Sequence, residues 1–402
     1  MSKKHFLAVL FFIFIQSIYG QGEGAIPTLT FQQSPLLQGA GSIGTAIPQY
    51  DASGFYLNPA QLGNFASKNN LSLFVMPEKT EWGSPYLKDL EFSSFGIAAG
   101  YNFENKNKNL PLSIGVGYIH NKFDYGKSFY ESYTTFDCFS IGASYQSFLL
   151  FNFGFSIKSY SDKLGNTLET GREIKAEGTA FDFGLMVTAP LTKLLPEDFK
   201  LNLDNNSSIR PVSNFSLGYA LLNVGKEVSY IDEEQADPIS RTARFGYSFN
   251  FGLELNTKLV AINVIDYSFT AEAEDILAKK NIDGHEYQNI FGNIKLGKNL
   301  ILLKSDNEVI VRIGHIFKFF ETLIITSGRF SGKGYDLTNK TDGIGFSSEG
   351  LFKLLNSIVD NSAVNYITKH FALEYYDTNT FVDSPMKTNF KGLVLTYRGY
   401  NI

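Results

Sequence analysis

The feature that most constrains this chain is alternation with a period of two residues, repeated along its length. Leu149, Phe151, Phe153, Phe155 and Ile157 alternate with Leu150, Asn152, Gly154, Ser156 and Lys158. Phe181, Phe183, Leu185 and Val187 alternate with Asp182, Gly184, Met186 and Thr188. Phe245, Tyr247, Phe249 and Phe251 alternate with Gly246, Ser248 and Asn250, after Arg244. Val309, Val311, Ile313, His315 and Phe317 alternate with Arg312, Gly314 and Lys318, diluted by Ile310 and Ile316. Successive strand side chains point to opposite faces, so each segment has one aromatic–aliphatic face and one small, polar face. Beyond the first residues no stretch of about 18 is continuously apolar, which excludes membrane-crossing helices.

Which face is inside decides the class. A soluble sandwich buries its large apolar groups and covers its outside with Lys, Glu and Asp. Here the second face is Gly, Ser, Asn and Thr, with isolated Lys158, Asp182, Arg244 and Arg312. Such a face suits a barrel lumen, with the apolar face against lipid and Tyr and Phe near the strand ends. The β-sandwich remains the competing fold. Composition agrees with an all-β chain: 37 Phe and 22 Tyr, but only 19% charged residues. That wealth of aromatics excludes a disordered chain, and one Cys excludes a disulfide or Cys-based zinc framework. A net charge of -5 gives no footprint for nucleic acid.

Fifteen segments read as strands, near 71–76, 92–102, 111–120, 137–147, 149–159, 179–189, 214–223, 243–251, 258–268, 287–297, 309–318, 322–330, 343–350, 369–377 and 389–399. Single-chain bacterial barrels carry an even number, so one segment is surplus. The expectation is a transmembrane antiparallel β-barrel of about 14 strands with an N-terminal plug in the lumen.

The expected divisions are a signal peptide at 1–20, a plug at 21–68 and the barrel at 69–402. Lys3 and Lys4 form a positive start, Phe6 to Ile15 an apolar core too short to cross ~30 Å, and Gly20 a small residue before a cut. The next segment reads Gly39-Ala-Gly41-Ser-Ile-Gly44-Thr-Ala, then Asp51-Ala52-Ser and Leu57-Asn58-Pro59-Ala60. Its glycines match the dinucleotide fingerprint, but no strand precedes them and Pro48 breaks any following helix. The plainer reading is a compact segment whose backbone packs closely against walls.

These residues resemble the N-terminal region of FadL-type outer-membrane proteins and their PorV/PorQ relatives. In that superfamily a Gly-rich, Asp-Ala, Asn-Pro-Ala segment precedes a 14-stranded barrel and folds into it as a plug. Phe215-Ser-Leu-Gly-Tyr-Ala-Leu-Leu-Asn223-Val-Gly225, with Asp237-Pro238 and Arg241-Thr-Ala-Arg244-Phe-Gly246, looks like the pattern of the PorV branch. The chain departs in Ala60-Gln61-Leu62, where the family often has Ala-Gly-Leu, in Arg398 and in the ending Tyr400-Asn401-Ile402. The resemblance implies an outer membrane and its lipid. It also implies either type IX secretion, with translocon components and secreted cargo proteins as partners, or passage of hydrophobic small molecules. The mid-chain pattern points first to the secretion role.

Nothing points to catalysis, a cofactor or a resident metal. His315 lies in an apolar row and reads as a wall residue, and His285-Glu286 lacks the second His of a zincin. Gly345-Phe-Ser347-Ser-Glu-Gly350 misses the nucleophile-elbow spacing. The acidic run Asp232, Glu233, Glu234 and Asp237 reads as a solvated loop. Leu351, Leu354, Leu355 and Ile358 recur at helical spacing and predict a short amphipathic helix against the rim or a partner, with packing on a core or rim the plainer reading.

Overall fold

The computed structural model describes residues 24–399, except 84–89, 106–109, 127–131, 168–170, 197–198, 204–206, 233, 235, 258–259, 282–283 and 360. The expected signal peptide, the last three residues and Glu233 lie outside the described residues.

Fourteen strands close into a cylinder. They are β1 (Asn70–Val75), β2 (Glu91–Asn102), β3 (Leu112–Asp124), β4 (Tyr133–Gln146), β5 (Leu150–Asn166), β6 (Glu173–Ala189) and β7 (Ser208–Gly225). The second half comprises β8 (Thr242–Asn256), β9 (Ala261–Ile276), β10 (Val309–Phe319), β11 (Leu323–Gly332), β12 (Tyr335–Ser347), β13 (Phe371–Thr380) and β14 (Thr388–Arg398). Each pairs antiparallel with its sequence neighbours, and β1 closes the circle by pairing Leu71 with both Ala99 of β2 and Tyr397 of β14. Closure leaves no unpaired edge, which is what a strand-built structure needs in hydrocarbon. Two-residue strands at Thr80–Glu81 and Leu201–Asn202 merely pair with the first residues of β2 and β7.

The two rows separate as the alternation predicts. Phe95, Ile97, Phe139, Ile141, Phe153, Phe183, Leu185, Ile325, Phe346, Leu373 and Leu395 are exposed outside, whereas Ser94, Ala98, Ser140, Asn152, Ser156 and Thr270 are buried inside. The outward row forms an apolar belt facing lipid.

One expected strand is absent. Residues 287–297 turn back at Asn289, whose side chain accepts from the N–H groups of Phe291 and Gly292, with Gly292 at φ +58. Asp275 then takes the Asn293 N–H at 2.6 Å. The following residues wind into a short irregular helix, Leu296–Ile301, whose Leu300 packs with Val309 and Ala273 on the outer wall. Of this segment's apolar residues Ile294 packs on that cluster, while Ile290, Phe291 and Leu296 stay exposed, and removing the segment turns fifteen candidates into fourteen.

Residues 348–370 form two short helices, separate from those nearer the N-terminus. In chain order the helices are α1 (Pro35–Gly39), α2 (Gln61–Ala66), α3 (Ser348–Ile358) and α4 (Ser362–His370). α3 begins at the Ser347 cap, which accepts from the Glu349 N–H, so the strand expected to reach 350 stops at 347. The expected packing of its leucines does not occur: Leu351, Leu354, Leu355 and Ile358 are all exposed.

The strand directions define two ends. β1 finishes and β14 begins at the loop end, which carries residues 76–90, 226–241 and 277–308. β14 finishes at the helix end, beside α3 and α4.

Candidate functional site

A belt of inward-facing glycines is what allows anything to lie inside this barrel. Gly100, Gly115, Gly142, Gly154 and Gly184 stand directly opposite one another on β2 to β6. Without side chains, they let another backbone approach to contact distance. A Cβ on Gly154 would come 2.1 Å from the Pro59 carbonyl carbon, and one on Gly184 would come 2.1 Å from Asn58 Oδ1. On the far side, Cβ atoms on Gly218, Gly314 and Gly328 would collide with Thr45, Ala40 and Gly41 at 2.1–2.2 Å. A segment that meets the inner row on strands around the whole circumference lies inside the cylinder. Leu37, Ile43, Leu57 and Leu62 of that segment retain no exposed surface.

Every residue singled out in the Gly-rich motif touches the wall or braces a neighbour that does. The Thr341 hydroxyl on β12 donates to the Gly39 carbonyl and accepts from the Gly41 N–H, each at 2.8 Å; Gly41 sits at φ +85. Gly44 N–H donates to Glu272 on β9 at 2.9 Å. Ala52 N–H donates to Ser72 on β1 at 3.1 Å. Asn58 Nδ2 donates to the Thr45 carbonyl at 2.7 Å and the Leu185 carbonyl of β6 at 3.2 Å, while its Oδ1 accepts from Ala60 N–H. Asp51 does less: among the described residues it accepts only from Ser53, twice at 2.6 Å, and so shapes a local turn.

The four charged residues expected to face inward form two buried clusters. Lys158 and Asp182 pair at 2.9 Å with no exposed side-chain surface. Lys158 also donates to Asn223 Oδ1 at 2.9 Å, while Asn223 N–H donates to Asp182 at 2.7 Å. Asn223 takes φ +57 where the β6–β7 register shifts, a conformation Asn tolerates better than most residues. Tyr56 stacks its ring beneath the Lys158 ammonium at 4.1 Å. Burial, with Cys138 and Asp182 adding to it, pushes the Tyr56 hydroxyl well above its ordinary range.

In the second cluster Arg244 donates to Glu272 at 2.9 Å and lies 3.4 Å from Glu274, which also accepts from Arg312 at 2.8 Å. Glu272 is the main anchor of the inner segment. Its Oε1 accepts the N–H groups of Gly44, Thr45 and Ala46 at 2.9, 2.7 and 3.3 Å, and its Oε2 accepts the Thr45 hydroxyl at 3.0 Å. Both glutamates escaped the sequence reading because that strand was ended at 268. Their signal is Thr270-Ala-Glu272-Ala-Glu274, a small-residue alternation that continues the inward row.

The segment leaves a cavity at each end. The one at the loop end encloses about 310 Å³ and is lined by aromatic groups from irregular segments and from the ends of β3, β11 and β12. Phe31 is its hub, with ring centroids 4.6 Å from Trp82, 5.3 Å from Phe92 and 5.6 Å from Phe123 and Phe390. Phe330 stands opposite, 4.8 Å from Tyr335 and 5.5 Å from Phe381. Gln38, Ser42, Arg244, Glu274 and Arg312 form a polar floor. The cavity at the helix end, about 320 Å³, is polar: Asp51, Lys68, Asn250, Asp266, Lys318, Glu321, Glu349, Glu374 and Arg398 line it. Arg398, the residue that breaks the last alternating row, bonds Glu349 of α3 at 2.8 Å. Burial opposes the Glu349 charge, but Arg398 and Lys353 outweigh it and hold the carboxyl at about 2.

No family model matches the sequence, and no curated protein matches it. Among solved structures, the Pseudomonas putida toluene transporter TodX aligns at 13% identity over 92% of this chain and 98% of its own, with a TM-score of 0.38. The Ralstonia pickettii toluene transporter TbuX aligns at 11% identity over 94% of this chain and 100% of its own, with a TM-score of 0.37. A FadL homologue from Pseudomonas aeruginosa aligns at 9% identity over 92% and 98%, with a TM-score of 0.41.

Proposed function

We propose that this chain is an outer-membrane barrel in which residues 21–68 act as a plug and the aromatic cavity takes up hydrophobic compounds for passage across the membrane. In this reading residues 1–20 are a signal peptide removed on export. The observation that carries it is the aromatic cavity centred on Phe31, closed below by the segment held at Glu272. Burial in an apolar, aromatic pocket of this size favours an apolar ligand, and the few polar floor groups orient it. Water-filled passage of small solutes is opposed by a lumen occupied by packed backbone.

The type IX role drew on the mid-chain pattern. Asn223 and Arg244 of that pattern bond inward, to Lys158 and Glu272, and these contacts account for both residues without a secretion partner. Hydrophobic transport is therefore the reading adopted. It is tested in proteoliposomes and planar bilayers with the full chain. The expected result is accelerated uptake of an apolar aromatic compound without steady, non-selective current. Large steady currents would make the protein a porin. Absence of uptake, together with co-purification of secretion components, would restore the secretion role.

A further inference from the structure

The helices at the helix end present an apolar face that the barrel does not cover. Glu349 and Lys353, one turn apart, occupy one side of α3 and turn toward the barrel: Glu349 bonds Arg398 at 2.8 Å, and Lys353 bonds Glu321 of the β10–β11 turn. Gly350 lies so close to that turn that a Cβ would meet the Phe320 carbonyl oxygen at 1.7 Å. Leu351, Leu354, Leu355 and Ile358 fall on the opposite side of the helix, and Ile358 is 80% exposed. The inner face is thus fixed by ion pairs and the outer face is left bare.

α4 settles which surroundings that face meets. Tyr366 packs against His370 with ring centroids 4.5 Å apart, and its hydroxyl lies 3.3 Å from that of Tyr397. Tyr397 in turn packs on Phe371 at 5.1 Å and pairs across strands with Phe371 and with Leu71, an exposed member of the outward row. α4 therefore joins the outward aromatic surface at the ends of β13, β14 and β1. Phe346, the last outward residue before α3, and Leu373, soon after α4, are both exposed. Through Tyr366 and Tyr397, α4 carries the lipid-facing belt onto the hairpin whose α3 face is bare.

From that continuity we infer that α3 and α4 form an interfacial hairpin, its Leu351–Ile358 face seated at the boundary between lipid headgroups and acyl chains. Helices of this kind bury their apolar face about 5–10 Å into that boundary. Aromatic groups such as Tyr366 and Tyr397 suit the same depth, with one apolar body and one polar tip.

The test uses the full chain in phosphatidylcholine–phosphatidylglycerol liposomes, with Ile358→Cys or Leu351→Cys carrying an environment-sensitive fluorophore. The single native Cys138 is buried, so the introduced thiol takes the label, and unsubstituted protein is the blank. Lys79→Cys, on an exposed loop at the other end, serves as the aqueous reference. The expected result is blue-shifted emission at 358 and 351, with quenching by lipid spin-labelled near the headgroup about threefold stronger than by aqueous iodide, and the reverse at 79. Equal access of iodide at 358, 351 and 79 would overturn the inference. Shielding that appears only when a second protein is added would also overturn it, in favour of a protein-docking face.

Discussion

The cavities at the two ends of the inner segment have nearly the same volume and opposite chemistry. At the loop end Phe31, Trp82, Leu90, Tyr125 and Phe381 come from the N-terminal segment and from loops. At the helix end Asn214, Ser248, Asn250, Asp266 and Lys318 come from the inward rows of strands. Asp51 and Lys68 of the inner segment, Glu321 of a turn and Glu349 of α3 add to these strand groups, so the helix-end vestibule is polar. The loop-end cavity is apolar because Phe31, Trp82, Tyr125 and Phe381 of irregular segments join the inward strand aromatics Phe123 and Phe330. The difference locates apolar binding at the loop end and retention of the segment at the strand groups that hold it, Glu272 above all.

The largest expected effect separates these two roles. Glu272→Ala leaves Arg244 buried beside one glutamate fewer and frees three backbone N–H groups, at a cost of ~3–5 kcal/mol. The segment should loosen, and planar-bilayer recordings should show steady ion current, while Glu272→Gln, which keeps the acceptor oxygen, should leak less. Gly154→Ala is next: its Cβ would strike Pro59, and overpacking of this kind costs ~1–3 kcal/mol. Thermal unfolding followed by β-type circular dichroism should report a lower midpoint with strand content unchanged.

Changes confined to one cavity should then divide cleanly. Phe31→Ala removes the hub of the aromatic cluster and should weaken capture of an apolar ligand about tenfold, or ~1.4 kcal/mol. Tyr50→Ala in the opposite cavity should leave that affinity unchanged. Equal losses from both would abolish the distinction between the ends. The smallest effect is on α3. Glu349 is held near 2, below its ordinary 4.5, so its pairing with Arg398 and Lys353 favours the docked helix fully above about 4.5. That contribution fades as pH falls from 4.5 toward 2, and a fluorophore at position 358 should report increased helix mobility only in that window.

The same contrast explains what was legible in the sequence. Period two revealed the strands and put Lys158, Asp182, Arg244 and Arg312 on the row opposite the aromatic one, because pleated backbone forces alternation. The even count came from barrel closure and not from the pattern. The Gly-rich segment was legible as closely packed backbone, though not the glycines of the wall that receive it. Residues 287–297 misled because their alternation hides the turn that Asn289 and Gly292 make in the middle of the segment. Leu351 to Ile358 gave the helix but not its exposed face, since periodicity fixes a stripe and not what covers it. Phe31 and Trp82 gave no signal: their segments have no period, and only the closed barrel brings them to 4.6 Å.

Trp82 offers the most direct test of the central claim, that the loop-end cavity receives hydrophobic compounds. It is the only tryptophan in the chain and lines that cavity beside Phe31. In nanodiscs, a brominated apolar aromatic compound should quench its fluorescence saturably. A charged, water-soluble bromide compound of similar size should quench weakly and without saturation, and Phe31→Ala should shift the apolar titration to higher concentration. Linear, equal quenching by both compounds, unaffected by Phe31→Ala, would show that the cavity does not bind hydrophobic ligands.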